Sequence, residues 1–512
     1  NQESFQLINS HLSFPSHGSR NFNITAAIEA SNRTLHFNLE NNDDLVSQHM
    51  HIQYLANHGS TGGSLVSLNP HVQFTRGSVW MQTAPEETSK RLGWAGLAII
   101  HERESILFEG IFTIMDTQYA VELKALNDGS TGMIASKVES EFPLGNRSVF
   151  PSYCATASES LLNKRQFWNT LGDNDLAANI GNTAGCPGTR QIAQIGIMAD
   201  CTYTASFSSS EAAHQYILNM VNTASVVFEN SFNITLGIRN LTISDAECPS
   251  SFSDMNAWNA PCSQGNLNTR LQNFSRWRER LTNDKNAYWT LLTGCSVSAG
   301  EIGVSWIGAL CNLGSGYSNG GASANVVART QTEWQVFAHE SAHMFGAVHD
   351  CTADTCETQS SQCCPLSANT CDAGGQYIMN PVSGSAMTRF SPCTIGTVCS
   401  RLGSGQVDGS CLVNSQTGYN GECGNGIVES GEACDCGNGA CDEREAQCCD
   451  SATCQWRGGD DCDQSDTGDT ENHETGNDQG SDSPYWVQTY LPLIIGLSAG
   501  VGGGFLLLLV GF

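Results

Sequence analysis

The stretch HESAHMFGAVHD, residues 339–350, constrains the fold of this chain more than any other feature. Its first two histidines are four residues apart, so on a helix His339 and His343 project from one face and can bind the same metal ion. Gly346 can adopt a positive φ and end the helix, and the turn that follows can bring back His349 as a third ligand. The stretch therefore predicts a helix followed at once by a tight turn, with one metal ion bound between them.

Glu340, between the first two histidines, indicates a hydrolytic rather than a structural site. Zinc with three histidine ligands keeps a fourth position open for water. The metal lowers the pKa of that water and polarises a carbonyl group, and Glu340 can accept the proton and pass it to a leaving amine. The alternative is a helix with solvated histidines, whose core-facing residues are Trp334, Ala338, Ala342 and Phe345. We predict the zinc site, because a chance match to this pattern is rare.

The 23 cysteines and the acidic balance of the chain restrict its location and partners. Cysteines are dense between Cys351 and Cys462, which is typical of disulfide-stapled proteins from an oxidising compartment. The net charge of −28 argues against nucleic acid as a partner, because nucleic-acid binding requires basic surfaces. We expect a signal peptide to precede Asn1 in the precursor. Glycosylation sequons agree with a secretory pathway and lie at Asn23, Asn32, Asn146, Asn233, Asn240 and Asn273.

Two regions of different periodicity lie within residues 1–402. Residues 1 to about 150 alternate apolar and polar positions, as in TLHFNLE and YAVELKAL, which predicts a mostly β domain. Over residues 190–402, strand and helix patterns alternate, which predicts an α/β domain. The expected elements are strands over 192–199, from Ile234 and from Gly303, and helices from Ser210, over 266–292 and over 330–346.

The last residues of the chain predict a linker and a membrane segment. Residues 463–484 are acidic, contain no Lys or Arg and are rich in small polar residues, so we expect a disordered linker. Residues 488–512 contain no charged residue and are long enough to cross a bilayer as a helix. No basic residue follows them, so this segment is either a transmembrane helix or the removable tail of a glycolipid-anchor signal.

The histidine stretch as a whole resembles the zinc signature of the metzincin proteases. Asp350 after the third histidine resembles the reprolysin branch of that family, which contains the ADAM and snake-venom metalloproteases. YIMNP (377–381) resembles the Met-turn of the family, which implies that Met379 lies beneath the zinc as a hydrophobic floor. The resemblance implies an α/β metzincin catalytic domain over residues 190–402.

Two further stretches extend this resemblance. FSPC (390–393) resembles the end of such catalytic domains, and GVSWIGALC (303–311) resembles the edge strand along which an extended substrate peptide binds. The implied activity is that of a metalloendopeptidase, with zinc as cofactor, Glu340 as general base and proteins or peptides as substrates.

A second resemblance lies in CGNGIVESGEACDCG (423–437), which is similar to the opening of the disintegrin domain in ADAM proteins. It implies a truncated, disulfide-rich disintegrin-like module over residues 415–462, an arrangement similar to fungal ADAM-like proteases. The family's integrin-contacting loop has no counterpart here, so integrin binding is unsupported. In that family the segment binds calcium, and the calcium ligands that the resemblance implies here are Asn425, Glu429, Glu432 and Asp435. The alternative is an acidic loop without metal.

The same family carries an inhibitory propeptide, which here would span residues 1–165, or extend to residue 189. Cys154 lies where ADAM propeptides have a cysteine that binds the zinc, and its thiolate would take the place of the attacking water. The alternatives are that Cys154 pairs with Cys186 or that Cys186 itself is the switch.

Removal of the propeptide would follow cleavage after Lys164-Arg165 by a kexin- or furin-type protease, with Arg190 as a second candidate site. The sequence thus predicts a multidomain zinc endopeptidase made as a zymogen and anchored in the cell membrane by a single span, or secreted after shedding. Its substrates would be extracellular or cell-surface proteins. The alternative is an adhesion or receptor-binding protein that uses the disintegrin-like module with little or no proteolysis.

Overall fold

The computed structural model describes residues 4–13, 21–29, 33–55, 61–63, 72–82, 90–102, 105–126, 129–138, 153–156, 176–253, 255–281, 284–295, 300–313, 322–358, 362–384, 387–415, 433–436, 447–450 and 453–457. All of them lie within one compact unit, Asn1–Gly458.

The first ten strands confirm the β character predicted for the N-terminal residues. They are β1 (Ser4–Ser13), β2 (Asn21–Ile28), β3 (Thr34–Asn41), β4 (Val46–Leu55), β5 (Thr61–Gly63), β6 (Val72–Gln82), β7 (Lys90–Glu102), β8 (Ser105–Ile114), β9 (Thr117–Ala125) and β10 (Thr131–Lys137). All except β4 and β5 close into an antiparallel barrel in the order β1-β10-β9-β8-β7-β6-β3-β2. We call this unit the N-terminal barrel.

Strand β7 shows how the barrel fills its interior and also packs its outer face against the domain that follows in the chain. Successive side chains of a strand point to opposite faces. Ala95, Leu97 and Ile99 are buried in the barrel interior, whereas Trp94 and Ala98 point outward and join the hydrophobic core of the domain that follows. Because both faces of β7 are buried, the strand is apolar along much of its length.

The following domain, residues 176–415, contains a mixed sheet with helices packed against it. Its strands are β12 (Gln191–Ala199), β13 (Ile234–Ser244), β14 (Trp289–Thr293), β15 (Glu301–Ser305), β16 (Ala324–Ala328) and the short β17 (Val413–Asn414). Strands β13, β12, β14 and β16 are parallel neighbours in that order, and β15 pairs with β16 in the antiparallel direction. We call this unit the α/β domain; it confirms the predicted α/β class.

Two segments from the N-terminal part of the chain extend this sheet at its two edges. β4 pairs in parallel with β13, with His51 opposite Asn240. β11 (Tyr153–Thr156) pairs in parallel with β15, with Cys154 opposite Gly303. Unpaired edge strands expose backbone donors and acceptors. The N-terminal part therefore covers both edges of the sheet of the α/β domain.

The helices of the α/β domain begin and end at residues whose side chains or backbone satisfy the free helix termini. Ser209 caps the second helix by accepting the Ala212 N–H, and Asn233 ends it in the left-handed region at φ 55°. Ser391 caps the sixth in the same way. The helices are α1 (Cys201–Thr204), α2 (Ser210–Phe232), α3 (Leu267–Glu279), α4 (Glu333–Met344), α5 (Ala353–Thr358) and α6 (Pro392–Gly403).

The helix predicted over residues 266–292 is wrong in its second half. Helix α3 ends at Glu279, and β14 begins at Trp289. Between them Asp284 accepts hydrogen bonds from the guanidinium of Arg278 at 3.0 Å and from the indole of Trp289 at 2.9 Å. This buried carboxylate fixes a turn where the apolar spacing alone favours a continued helix.

Disulfides staple the α/β domain and the cysteine-rich tail, as the cysteine density predicted. Because Cys186 pairs with Cys399, Cys186 is neither the partner of Cys154 nor a free switch thiol, and both alternatives are wrong. The described bridges are Cys186–Cys399, Cys201–Cys248, Cys262–Cys295, Cys311–Cys411, Cys351–Cys363, Cys356–Cys371, Cys364–Cys393 and Cys434–Cys449.

One of the predicted glycosylation sequons does not fit the fold. The side chain of Asn233 is buried, and its amide nitrogen donates to the Pro187 carbonyl at 2.9 Å. A glycan on this buried nitrogen has no room, so glycosylation at Asn233 is incompatible with the folded chain.

Little of the predicted C-terminal organisation falls within the described residues. The cysteine-rich tail contributes a small hairpin of β18 (Cys449–Asp450) and β19 (Gln455–Trp456). The expected linker, 463–484, and membrane segment, 488–512, lie outside the described part of the chain. Within that part, no helix is long and apolar enough to cross a membrane.

Candidate metal centre

Helix α4 carries the first two histidines and the glutamate in the buried interior. His339, Glu340 and His343 are each at most 2% exposed, so the alternative of a solvated histidine stripe is wrong. The last turn of the helix is tied to the loop after β15, because Gly308 N–H donates to the His343 carbonyl at 2.8 Å. The Gly346 N–H donates to the same carbonyl at 2.9 Å, so this helix-end carbonyl accepts from both the turn and the loop.

Gly346 turns the chain back toward the helix, as predicted. Its φ is 90°, in the region that favours glycine, and a Cβ there would meet the side chains of Val407 and Arg401. The Arg401 guanidinium also donates to the Gly346 carbonyl. The turn thereby brings His349 against the two histidines of α4.

The three histidines converge through their Nε2 atoms. Nε2 of His339 is 3.1 Å from Nε2 of His343 and 3.1 Å from Nε2 of His349. One ligand nitrogen from each ring lies within 4.8 Å of the others. In a tetrahedral site with Zn–N bonds of about 2.0–2.1 Å, ligand nitrogens are separated by roughly 3.3 Å. The donor set and its spacing therefore fit zinc.

The other ring nitrogens fix the tautomers that a metal requires. Nδ1 of His339 is 2.7 Å from the Ile378 carbonyl and Nδ1 of His343 is 2.8 Å from the Ala347 carbonyl. Because a carbonyl can only accept, each Nδ1 carries the proton and each Nε2 presents a lone pair.

Burial keeps these rings neutral at physiological pH. It lowers the pKa of His339 to about 4, and together with the nearby His339 it lowers the pKa of His349 to about 3. Burial and the two neighbouring rings hold the pKa of His343 well below its usual value. All three are thus ready to bind a metal ion without first losing a proton.

The predicted Met-turn lies directly beside the histidines. Met379 is fully buried, and its carbonyl accepts the Asp350 N–H at 2.9 Å. The neighbouring Ile378 supplies the carbonyl that orients His339. This part of the chain therefore positions one ligand directly and supports the loop of another.

Asp350 holds the loop of the third histidine in place. Its carboxylate is buried and accepts hydrogen bonds from the hydroxyls of Ser391 at 2.6 Å and Thr394 at 3.3 Å. Burial raises its pKa to about 7. Through these bonds Asp350 ties the loop of the adjacent third histidine to the start of α6.

Disulfides hold the same loop from the other side. Cys364 N–H donates to the His349 carbonyl at 2.9 Å, and Cys364 is bonded to Cys393 at the start of α6. The bridge between Cys351 and Cys363 closes the loop two residues beyond the third histidine. The loop that carries the third ligand is therefore held by two disulfides and a backbone hydrogen bond.

The edge strand β15 lies over Glu340. A Cβ at Gly303 would lie 2.2 Å from Oε1 of Glu340, so only glycine leaves room for this carboxylate. The Ser305 hydroxyl donates to the backbone carbonyl of Glu340 at 2.9 Å. Sequence reasoning missed both contacts, because they join residues distant in the chain; the glycine within an apolar strand pattern was the one available signal.

The remaining predicted site residues are only partly described. The backbone of Cys154 lies in β11 opposite Gly303, and its side chain is outside the described set. Asp435 is buried next to the bridged Cys434. The other predicted calcium and processing residues lie outside the described part of the chain: Asn425, Glu429, Glu432, Lys164 and Arg165.

Comparisons with known proteins agree with this geometry. The reprolysin-type profile described as metallo-peptidase family M12 matches residues 188–391, which include all three histidines. "Disintegrin and metalloproteinase domain-containing protein B" of Aspergillus fumigatus is 39% identical over 480 residues, or 81% of this chain and 60% of that protein.

Two further relatives are also metalloproteases by name. The protein of the same name from Arthroderma benhamiae is 34% identical over 489 residues, or 82% of this chain and 61% of that protein. "Zinc metalloprotease mde10" of Schizosaccharomyces pombe is 33% identical over 264 residues, or 47% of this chain and 51% of that protein. The chain spans about 60% of the length of the first curated relatives it matches.

Substitution of the third ligand should abolish stable zinc binding. Outer-shell partners alone contribute roughly 10–100-fold to metal affinity, so we expect His349→Gln to weaken binding by more than that. Zinc content after dialysis, measured by elemental analysis, tests this. The matched control is His214→Gln, which replaces another buried histidine on α2 and should keep the zinc content of the unchanged chain. Equal zinc in both variants would contradict the assigned centre.

Proposed function

Because the domain at residues 188–391 belongs to metallo-peptidase family M12, we propose that this chain is a zinc-dependent endopeptidase that hydrolyses peptide bonds of extracellular or cell-surface proteins. The observation that carries the proposal is the convergence of three Nε2 atoms next to a buried glutamate, beside an antiparallel edge strand. This arrangement combines a metal site, a base and a surface for an extended peptide.

The residues of the site have separate roles in amide hydrolysis. Zinc, when bound, supplies Lewis-acid chemistry toward water and the scissile carbonyl. His339, His343 and His349 hold it, with the Nδ1 protons of the first two engaged by carbonyls. Glu340 takes the proton of the attacking water and delivers it to the leaving nitrogen. Its burial beneath Gly303 keeps the carboxylate close to the edge where the peptide lies.

Substrate binding by strand addition follows from the antiparallel edge strand β15. An extended peptide gains backbone hydrogen bonds from such an edge and selectivity from side-chain pockets. In this structure β11 pairs with that edge. A substrate and β11 therefore compete for the same backbone groups.

This competition supports a zymogen in which residues 1–165 are the propeptide. The register places Cys154 opposite Gly303, the residue that lies against Glu340. We propose that the thiolate of Cys154 serves as the fourth zinc ligand of the latent enzyme.

Burial favours the dibasic pair over Arg190 as the processing site. The Arg190 side chain is 2% exposed and is paired with Glu40 at 3.0 Å and with Glu229 at 3.7 Å. A processing protease needs an accessible, extended arginine, so Arg190 is protected while the chain is folded. We propose cleavage by a kexin- or furin-type protease after Lys164-Arg165.

The names of the fungal relatives support a disintegrin-like module over residues 415–462 and a cell-surface or secreted location. We propose that Asp435 acts with Asn425, Glu429 and Glu432 as calcium ligands in this module. We further propose that residues 463–484 form the linker and that residues 488–512 anchor the enzyme. The alternative, an adhesion protein with little proteolysis, is less favoured because the metal ligands and the base are all retained.

Replacement of the base should nearly abolish proteolysis without loss of zinc. General acid–base catalysis contributes roughly 10²–10⁴-fold, so we expect Glu340→Gln to lower kcat/KM by about that factor. Cleavage of a mixed peptide library, analysed by mass spectrometry with and without a chelator, measures the effect. Glu211→Gln, at an exposed position in the first turn of α2, is the control. Chelator-resistant activity that is equal in both variants would refute a zinc endopeptidase.

A methyl group at residue 303 should displace the base. Its Cβ would lie 2.2 Å from Oε1 of Glu340, and a misplacement of about 1 Å can cost about 10²-fold in rate. We expect Gly303→Ala to lower kcat by about this factor and to keep full zinc content. Gly188→Ala, where nothing lies within 4 Å, is the matched control and should match the unchanged enzyme.

Loss of the switch thiol should raise the activity of the uncut precursor. Without a fourth ligand from the propeptide, water reaches the metal more often, so we expect Cys154→Ala to cleave peptides before any processing. Peptidase assays on precursor whose intact length is verified by gel electrophoresis test this. The neighbouring Ser152→Ala is the control, and equal activity of the two variants would assign inhibition to β11 pairing alone.

A further inference from the structure

The barrel wall formed by β6, β7 and β8 is built to contact the α/β domain. Outward-facing side chains of the N-terminal region, including Phe74, Trp94 and Ala98, are buried in the same hydrophobic core as helix α2 and helix α4. The Trp94 ring packs edge-on against Trp334 of α4 at 5.4 Å, and its indole N–H donates to the Thr388 carbonyl at 3.0 Å. An interface whose centre is a shared core resembles those of permanent complexes.

Next to this core, strand β7 packs closely against helix α2 at Gly96. A Cβ at Gly96 of β7 would meet Cα of Thr223 at 3.2 Å and Cγ2 of Val226 at 3.3 Å, both on α2. At this point the barrel strand contributes no side chain, and its backbone lies directly against the backbone of Thr223 and the side chain of Val226. Such proximity requires glycine and a fixed orientation of the two units.

A ring of four charges lies next to the shared core. Arg76 of the barrel donates to Glu40 at 2.7 Å and to Glu229 of α2 at 2.8 Å. Arg190 of the α/β domain contacts the same two carboxylates, Glu40 at 3.0 Å and Glu229 at 3.7 Å. Burial alone would raise the pKa of Glu40, yet the two arginines hold it below its usual value.

The charges of this ring cancel within each of the two units taken alone. The barrel contributes one cation and one anion, and so does the α/β domain, where Ser225 also donates to Glu229 at 2.8 Å. Neither unit alone is left with a single uncompensated buried charge, which would be costly. The contact is thus compatible with two separate polypeptides.

Polar contacts along α2 complete the surface. Asn222 donates to the Thr75 carbonyl at 3.0 Å and accepts from Asn42 at 2.9 Å. One turn earlier, Asn219 donates to the carboxylate of Glu109 on β8 at 2.8 Å. Beside the helix, β4 pairs with β13 along the sheet edge.

We propose that the N-terminal barrel, together with strand β4, stays bound to the α/β domain as a separate subunit after the chain is cut between them: the barrel on the α2 face and β4 on the β13 edge. The proposal goes beyond the zymogen and rests on it only in assuming a natural cut between the two units. Strand β11 remains joined to the barrel, so the retained barrel keeps it at high local concentration near β15. Cutting and release of the barrel are then two separate events.

The test uses the full chain carrying Glu340→Gln, to prevent self-digestion. A recognition site for a sequence-specific viral protease replaces Lys164-Arg165, so that the result does not depend on natural processing. After complete cutting, the chain is immobilised through a tag on the C-terminal fragment and washed at physiological salt and neutral pH. The amount of barrel retained over time, measured by immunoblot, gives the dissociation rate. We expect most of the barrel to remain bound; prompt loss would overturn the proposal.

Two substitutions at one position test whether this surface is the anchor. In Asn219→Glu a carboxylate faces Glu109, whereas in Asn219→Lys an ammonium faces it, and both new side chains favour helix. Because like charges placed together weaken an interface, we expect Asn219→Glu to raise the dissociation rate by roughly tenfold or more. In contrast, Asn219→Lys should leave the rate unchanged or lower it. Equal rates in the two variants would show that the barrel is held elsewhere.

A steric variant makes the test independent of charge. Gly96→Leu places a side chain where Thr223 and Val226 already lie, so it should separate the fragments after cutting. The control is Glu122→Leu, at an exposed position on β9, which should retain the barrel as the unchanged chain does. Retention in both variants would contradict the α2 face as the docking surface.

Discussion

The centre of the α/β domain depends on bringing three neutral imidazoles together in a buried interior, with the Nε2 atom of His339 3.1 Å from the Nε2 atoms of both His343 and His349. Their Nε2 lone pairs face each other, an arrangement that is unfavourable without a cation to share. The surrounding contacts act against this repulsion. Carbonyls hold the Nδ1 protons, the Asp350 carboxylate anchors the loop of the third ligand, and Arg401 fixes the Gly346 turn. The metal site is thus imposed by the scaffold.

Local spacing explains what could be predicted from the sequence. The helix through His339 and His343, the positive φ at Gly346 and the strands of the β region all follow from periodicities that operate within a few residues. Predictions of this kind need no knowledge of distant neighbours. The family resemblance then supplied Met379 and Cys154, which spacing alone could not have distinguished from ordinary core and ordinary cysteine.

Long-range contacts explain what could not be predicted. Gly303 matters because Glu340 lies against it, and α3 stops early because Asp284 receives hydrogen bonds from two separate elements. Neither arrangement is visible in the local apolar spacing. The burial of Asn233 at a helix end likewise overrides its sequon. Closure of the barrel and the four-charge ring are also tertiary outcomes, since their members are spread over residues 4–229.

The pairing of β4 with β13 has a consequence for how the chain reaches this state. Strand β4 is synthesised long before β13, with most of the barrel and helix α2 still to come between them. Contacts between segments so far apart form late and slowly, because a long loop must close first. Until then both strands carry open edges that can pair with other chains. Folding to the native state therefore competes with association between chains. Because association depends on protein concentration and the β4–β13 pairing does not, dilution should raise the yield of native protein.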